Sequence, residues 1–553
     1  MADLAKGRHT ATRFALGAAL GVLVFLAVYG VSPLDVASDA FCRGGYIEKD
    51  IQQHYAGWLF YRENAIGFPF CVTKAVNAPA GVSVAYTDSI PLLAALLRPV
   101  ANALGGTFQY FGWFTLTSFA LQGGFGALLC GLFCESVPAC AAGSLLFSAS
   151  PILIERAFRH TSLGAQWLVL AALYCYFCGR RQGRYRLPLL FAVNVLAVGI
   201  HPYFLPLVMM CALLAAVELG RQKKAWGRAA LQFAASLAAA VVGGVLCGAI
   251  GSGTGASRSG YGDYSMNLNA LINPTSRGGY TWSRLYQVMP QQPGQYDGFN
   301  YLGLGVLALI TAALLFSLRR AVRCPQNTKT WCYRNGPVFA ACVFLTLFAV
   351  SNKIYWGNTG IELPLPAKLL ELCGIFRSSG RMFYLVAACM VVYAVYTLRD
   401  RLPGRYAVLV LALFVGVQAF DLSAAAQQKR QKFADPINAT VVNNDQTASL
   451  GAGHTQLLAA GEVREDRLRL LAILAGKQGL ATNLDIAVSG SHPAAEASRT
   501  DTAARLAAGQ YDPTAVYVTT DGETWENWQA VFAGDDSLNF FVADSCYFMV
   551  PAV

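Results

Sequence analysis

Residues 229–251 read A-A-L-Q-F-A-A-S-L-A-A-A-V-V-G-G-V-L-C-G-A-I-G, with no charged side chain among them. As an α-helix such a run is about 35 Å long, enough to cross the roughly 30 Å hydrocarbon core of a bilayer. Arg221, Lys223, Lys224 and Arg228 precede it, and the glycine- and serine-rich stretch 251–260 follows. The segment therefore reads as a helix that leaves a basic membrane face and ends in a polar linker on the other.

The same pattern recurs along the chain. Of its 553 residues 55% are hydrophobic and only 13% charged, which is too apolar for a soluble protein of this length. Eleven spans are legible, near 14–31, 107–133, 138–154, 163–179, 187–200, 203–219, 229–251, 301–318, 336–350, 381–398 and 405–422. Every second connection is basic: Lys6, Arg8 and Arg13; Arg180, Arg181, Arg184 and Arg186; Arg221 to Arg228; Arg319, Arg320, Arg323, Lys329 and Arg334; and Arg399, Arg401 and Arg405. The positive-inside rule then puts the N-terminus in the cytoplasm and all five groups on that face. The net charge of +11 is thus accounted for by loops that orient the chain and face anionic lipid, not by a nucleic-acid surface. The first span ends near Val36-Ala37-Ser38, which resembles a signal cleavage site, but its apolar run is long for a signal peptide and reads as an anchor.

Four sizeable regions fall on the opposite face: 32–106, 252–300, 351–380 and everything after 423. The chain divides into a membrane domain, 1–423, and a small extracytoplasmic α/β domain, 424–553. In the latter 465–475 and 523–533 read as helices and 515–520, 539–542 and 546–550 as strands. Asn438-Ala439-Thr440 matches a glycosylation sequon. Cys42 and Cys71 share the first outer loop, where a disulfide is chemically allowed but spacing alone does not fix it. There is no Walker motif, and no cysteine or histidine spacing that suggests structural zinc.

The first outer loop holds the densest set of reactive side chains. Residues 50–64 read D-I-Q-Q-H-Y-A-G-W-L-F-Y-R-E-N, and at about 100° per residue Asp50, Gln53, His54, Gly57, Tyr61 and Asn64 share one helix face. Such a helix is expected to lie at the membrane interface, a carboxylate, an amide, an imidazole and a phenol on its polar side. Glu48 precedes it, where acidic residues also serve merely to cap a helix, and Asp88 follows in Thr87-Asp88-Ser89. Three of the six histidines, His54, His160 and His201, reach the same face, the second of them beside Glu155, Arg156 and Arg159. Arg377 and Arg381 flank Ser378 and Ser379 at the outer start of a span, where arginine needs an anionic partner. A phosphate meets that need through paired guanidinium hydrogen bonds; an ion pair with Glu362 or Glu371 is the structural alternative. Residues 261–300, rich in Tyr, Trp, Asn and Gln, suit sugar rings but equally suit an irregular polar loop.

Several of these motifs carry a family resemblance: D-I-Q-Q-H-Y-A-G-W-L-F-Y-R (50–62), Y-T-D-S-I-P-L-L-A (86–94), Q-Y-F-G (109–112), F-A-L-Q-G (119–123), R-H-T-S-L-G-A-Q-W (159–167), H-P-Y-F (201–204) and F-R-S-S-G-R-M-F (376–383). On them the chain resembles the C-type (GT-C) glycosyltransferases, polytopic enzymes that use polyprenyl-phosphate-linked sugars, and within that superfamily an uncharacterised bacterial membrane-protein family. The resemblance implies a GT-C-like membrane domain in the bacterial inner membrane. It also implies transfer of a sugar from a polyprenyl-phosphate donor to a glycan, lipid or protein acceptor, with Asp50 as the essential acidic residue of the first outer loop. Members often carry two adjacent acidic residues; here Lys49 separates Glu48 from Asp50, which leaves the use of a divalent cation open. Two other function classes fit the same topology: a lipid or lipid-linked-sugar flippase, and a non-catalytic envelope assembly factor acting through its C-terminal domain.

Overall fold

A computed structural model describes residues 2–44, 49–63, 67–250, 260–435, 445–487 and 493–552. Ten helices among them are long and apolar enough to cross a membrane: His9–Tyr29, Phe111–Gly131, Val137–Arg156, Thr161–Gln182, Phe204–Lys223, Trp226–Leu246, Leu304–Arg323, Pro325–Val350, Ser379–Arg401 and Gly404–Ala434. The expectation of eleven spans is corrected here. Leu187–Ile200 has only 14 residues, about 21 Å of helix, and falls short by length. It still returns the chain along the bundle, for His201 at its end and Ser162 at the start of the helix before it both reach Asp88.

Close helix packing follows from small residues. A Cβ at Gly17 would lie 2.3 Å from the Gly123 carbonyl oxygen, and one at Gly21 2.0 Å from that of Phe119. The first helix therefore lies backbone to backbone on Phe111–Gly131, the packing that glycine permits between membrane helices. Thr161–Gln182 is the central pillar, 94% buried, whereas Trp226–Leu246 and Pro325–Val350 are 22% buried and form the periphery.

The basic segments converge at one end of the bundle. Arg13 donates to the Glu135 carbonyl at 2.7 Å, Arg180 to that of Arg334 at 3.0 Å, and Arg320 pairs with Asp400 at 3.6 Å. Arg221 lies 5.5 Å from the Tyr333 ring centre. The polar residues of the first loop collect at the opposite end.

Nine short strands occur among the described residues. Val72–Thr73 (β1) pairs antiparallel with Val82–Ser83 (β2), and Lys353–Trp356 (β3) with Thr359–Glu362 (β4). The C-terminal region carries Gln456–Ala459 (β5), Ala481–Thr482 (β6), Ala515–Thr519 (β7), Leu538–Ala543 (β8) and Cys546–Pro551 (β9), in the order β6-β5-β7-β9-β8. β5 runs parallel to β6 and β7, while β9 is antiparallel to β7 and β8. Helices Glu465–Lys477, Pro493–Ala507 and Gly522–Val531 complete this small α/β region.

The helix of the first loop, Lys49–Glu63, is not laid on a membrane surface. Residues 51–62 are buried throughout, because the C-terminal region covers the side away from the bundle. Lys477 reaches Asp39 at 2.5 Å, and a Cβ on Gly476 would meet that of Leu59 at 3.0 Å. Thr482 N–H donates to the Ala75 carbonyl at 2.7 Å, and Asn77 Nδ2 to Asp485 at 2.8 Å. Cys42 and Cys71 are both free, buried thiols, so the disulfide left open by the sequence is not formed. Glu48, Asn64, the sequon at Asn438 and most of the 251–260 linker lie outside the described residues.

Candidate functional site

Two polar clusters meet over the start of the central pillar. The first is built on Asp88, which is buried and held at φ +56° in the turn before Pro91–Leu104. His201 Nε2 stands 3.0 Å from Asp88 Oδ1, and His54 Nε2 3.6 Å from Oδ2. His201 Nδ1 accepts the Tyr203 backbone N–H at 3.1 Å, which places the ring proton on Nε2, toward the carboxylate. His54 Nδ1 faces the Thr161 hydroxyl at 3.0 Å. Burial alone would raise the Asp88 carboxyl, but the two imidazoles outweigh it and hold Asp88 well below the usual carboxylate range. Gly57 is required here: a Cβ would sit 2.1 Å from the Thr87 hydroxyl, so only glycine lets the 49–63 helix approach this turn.

The second cluster is built on Asp297, buried in the loop before Leu304–Arg323. Arg156 Nη1 donates to Asp297 Oδ1 at 2.5 Å and its Nη2 to the Asp297 carbonyl, while its Nε donates to the Tyr384 hydroxyl at 2.7 Å. Arg381 Nη2 donates to Asp297 Oδ2 at 2.9 Å, and its guanidinium lies 4.6 Å from the Tyr203 ring centre. Burial pushes Asp297 up, but the guanidiniums of Arg156 and Arg381 bring it well below its ordinary value. Here two buried guanidiniums share one carboxylate, and Arg381 Nε, fully buried, has no hydrogen-bond partner among the described residues.

His160 and Asp50 close the arrangement. Arg156 Nη1 faces His160 Nδ1 at 3.3 Å, which makes Nδ1 the acceptor and turns the Nε2 proton toward Asp50 Oδ2, 3.8 Å away. Burial, then the positive charges of Arg381 and Arg156, depress the His160 imidazole well below its usual value, so it is neutral. The Asp50 side chain keeps 29% of its surface open and is the accessible carboxylate of the cluster. His160 is joined to Asp88 through its chain neighbour Thr161 and His54, and Arg381 to His201 through Tyr203, whose ring lies 5.4 Å from the imidazole. The two clusters thus form one closed polar ring.

Of the residues singled out by sequence, Asp50, His54, Asp88, His160, His201 and Arg381 enter this ring. Gln53 is buried on the same helix but joins none of its hydrogen bonds. Tyr61 is turned away: its hydroxyl donates to the Phe70 carbonyl at 2.9 Å, and its ring packs under Arg98. Arg377 lies at the rim, 5.5 Å from the Tyr264 ring centre. Tyr264 is edge-on to Tyr296, which carries Arg277 at 4.9 Å on its face. The anionic partner of Arg381 is Asp297, neither Glu362 nor Glu371. Tyr384 emerges only from the fold, and so do the roles of Arg156, Thr161, Tyr203 and Asp297, residues the sequence offers without a partner. Among the described residues no group of three or more His, Cys, Asp or Glu side chains is placed to hold a metal ion.

No curated protein matches this chain. Residues 446–551 match the DUF6311 C-terminal domain, a stretch that contains the five-stranded sheet. Residues 18–423, most of the chain and every residue of the polar ring, match the family described as Domain of unknown function (DUF6311), and the protein belongs to that family.

Proposed function

We propose that the chain is an integral membrane glycosyltransferase of GT-C-like architecture that moves a sugar from a polyprenyl-phosphate donor to an acceptor hydroxyl on a glycan, lipid or protein. The observation that supports it is the pairing of Asp50, open and facing a neutral His160, with the buried guanidiniums of Arg156 and Arg381, the latter with an N–H that has no partner among the described residues. A phosphate oxygen satisfies such a buried donor, and phosphate offers guanidinium its best geometry. Asp50 is placed to take the proton of an acceptor hydroxyl as its oxygen bonds to the anomeric carbon. The bond from that carbon to the phosphate oxygen breaks, the anomeric centre inverts, and polyprenyl phosphate leaves with its negative charge stabilised by Arg381. His160 and the Asp88–His54–His201 set are positioning residues, fixing Arg156 and the 49–63 helix.

The basic loops gathered at one end favour an N-terminus in the cytoplasm, with the polar ring and the C-terminal domain on the extracytoplasmic side of a bacterial inner membrane. The test is direct. Purified protein in bilayers is incubated with polyprenyl-phosphate sugars and candidate acceptors. Transfer of label with release of polyprenyl phosphate supports the reading; movement of the donor across the bilayer without transfer contradicts it and favours a flippase.

A further inference from the structure

The segment between the eighth and ninth long helices has an apolar surface that the fold does not cover. It leaves the spanning helix Pro325–Val350, forms the β3–β4 hairpin and the helix Ala367–Gly374, and rejoins the bundle at Ser379–Arg401. Trp356, Ile361, Leu363, Leu369, Leu372 and Ile375 are 58, 60, 45, 41, 63 and 51% exposed. Leu369 and Leu372 share one face of the helix, and Ile375, the residue that follows its end, continues the stripe. Exposed Lys368 stands next to the stripe, a long stem with a cationic tip suited to lipid phosphates.

This surface is held rigidly. Asn267 clamps the hairpin tip by donating to the Gly357 carbonyl at 2.9 Å and accepting from its N–H at 3.0 Å. Lys353 pairs with Asp263 at 2.7 Å. Ser379 Oγ donates to the Ala349 carbonyl at 3.1 Å, so the two spanning helices that bracket the segment end at one level. An apolar, tryptophan-tipped structure rooted at both ends in that level meets the headgroup–acyl boundary, where tryptophan and amphipathic helices partition.

We propose that β3, β4 and the 367–374 helix form a paddle embedded in the lipid leaflet on the polar-ring side, its partner being the bilayer surface and not another protein. The inference is independent of whether the chain transfers a sugar.

The test uses the full chain in nanodiscs of phospholipid brominated at acyl carbons near the headgroup, with unbrominated discs as reference. The chain has nine tryptophans, so the Trp356 contribution is the difference between wild type and Trp356→Phe. The paddle predicts that bromolipid quenches this component at least twofold while aqueous iodide hardly affects it. Ile361→Trp, made in the wild-type chain, adds a second probe expected to behave alike. A Trp356 component quenched by iodide and not by bromolipid lies in water, and one quenched by neither is covered by protein; either overturns the proposal.

Discussion

Arg381 gives one guanidinium nitrogen to Asp297 at 2.9 Å and leaves its buried Nε without a partner among the described residues. A buried N–H left unpaired costs on the order of 1–3 kcal/mol. The site therefore holds a donor that a ligand can satisfy, beside a carboxylate already shared with Arg156. In the proposed reading that donor is aimed at the donor phosphate. Arg381→Lys keeps the charge but removes the planar fork, and a loss of about tenfold to a hundredfold in kcat/KM for sugar transfer is expected. Steady-state assays with a polyprenyl-phosphate donor check this; unchanged kinetics would remove Arg381 from the site.

Asp297 balances two cations. Asp297→Asn strands both guanidiniums in a buried setting, and removing one partner of a buried charge set costs about 3–5 kcal/mol. A fall of several degrees in the melting temperature in detergent is expected, whatever the reaction.

The pH dependence of stability has a definite sign. His160 is held neutral, below its unfolded value near 6.5. As pH falls below about 6.5 the unfolded chain binds a proton that the folded chain refuses, so stability drops by up to about 1.4 kcal/mol per unit of pH. Asp88 and Asp297 are depressed instead. Their contribution is complete above the unfolded value of about 4 and is lost as pH falls further, through their folded values. Melting curves from pH 7.5 to 4.5 should show a decline beginning near 6.5 that is shallower in His160→Gln.

The first helix is fixed by glycine. A Cβ at Gly21 would stand 2.0 Å from a backbone oxygen, which cannot move aside as a side chain can. Gly21→Leu should destabilise the bundle by about 1–3 kcal/mol or more, read as a lower melting temperature, while Gly30→Ala, with nothing within 4 Å of its Cβ, should report only backbone strain.

Lys477 couples the C-terminal region to the first loop through Asp39. Burial raises the Asp39 carboxyl, but Lys477 and Arg43 prevail and hold it lowered. Lys477→Met should loosen the docked helix and speed proteolytic release of residues 445–552, with the ten long helices intact by circular dichroism.

What the sequence made legible was local. The basic loops stand out because lysine and arginine orient each crossing independently, and they do gather at one end. Helix 465–477 and strands β7 to β9 follow apolar periodicity over a few residues. The apolar run of the last span fades near residue 422, yet its helix continues to Ala434 because A-A-A-Q-Q-K-R-Q-K-F-A consists largely of strong helix formers. Long-range pairing was not legible. Asp297 is 141 residues from Arg156 and 84 from Arg381, and in sequence it is one acidic residue in a polar loop. The surplus of arginines at that end could have signalled that a buried counter-charge was needed. Tyr61 shares the helical face of His54 but stands two turns away, where it follows the Phe70 loop instead.

In the proposed reaction Asp50 is the residue that activates the acceptor. The most direct measurement is single-turnover transfer from a polyprenyl-phosphate sugar by wild type and Asp50→Asn, with donor binding measured on the same samples. Asp50→Asn is expected to bind the donor within a factor of a few of wild type but to transfer more slowly by about a hundredfold or more. Transfer at the wild-type rate by Asp50→Asn would contradict it.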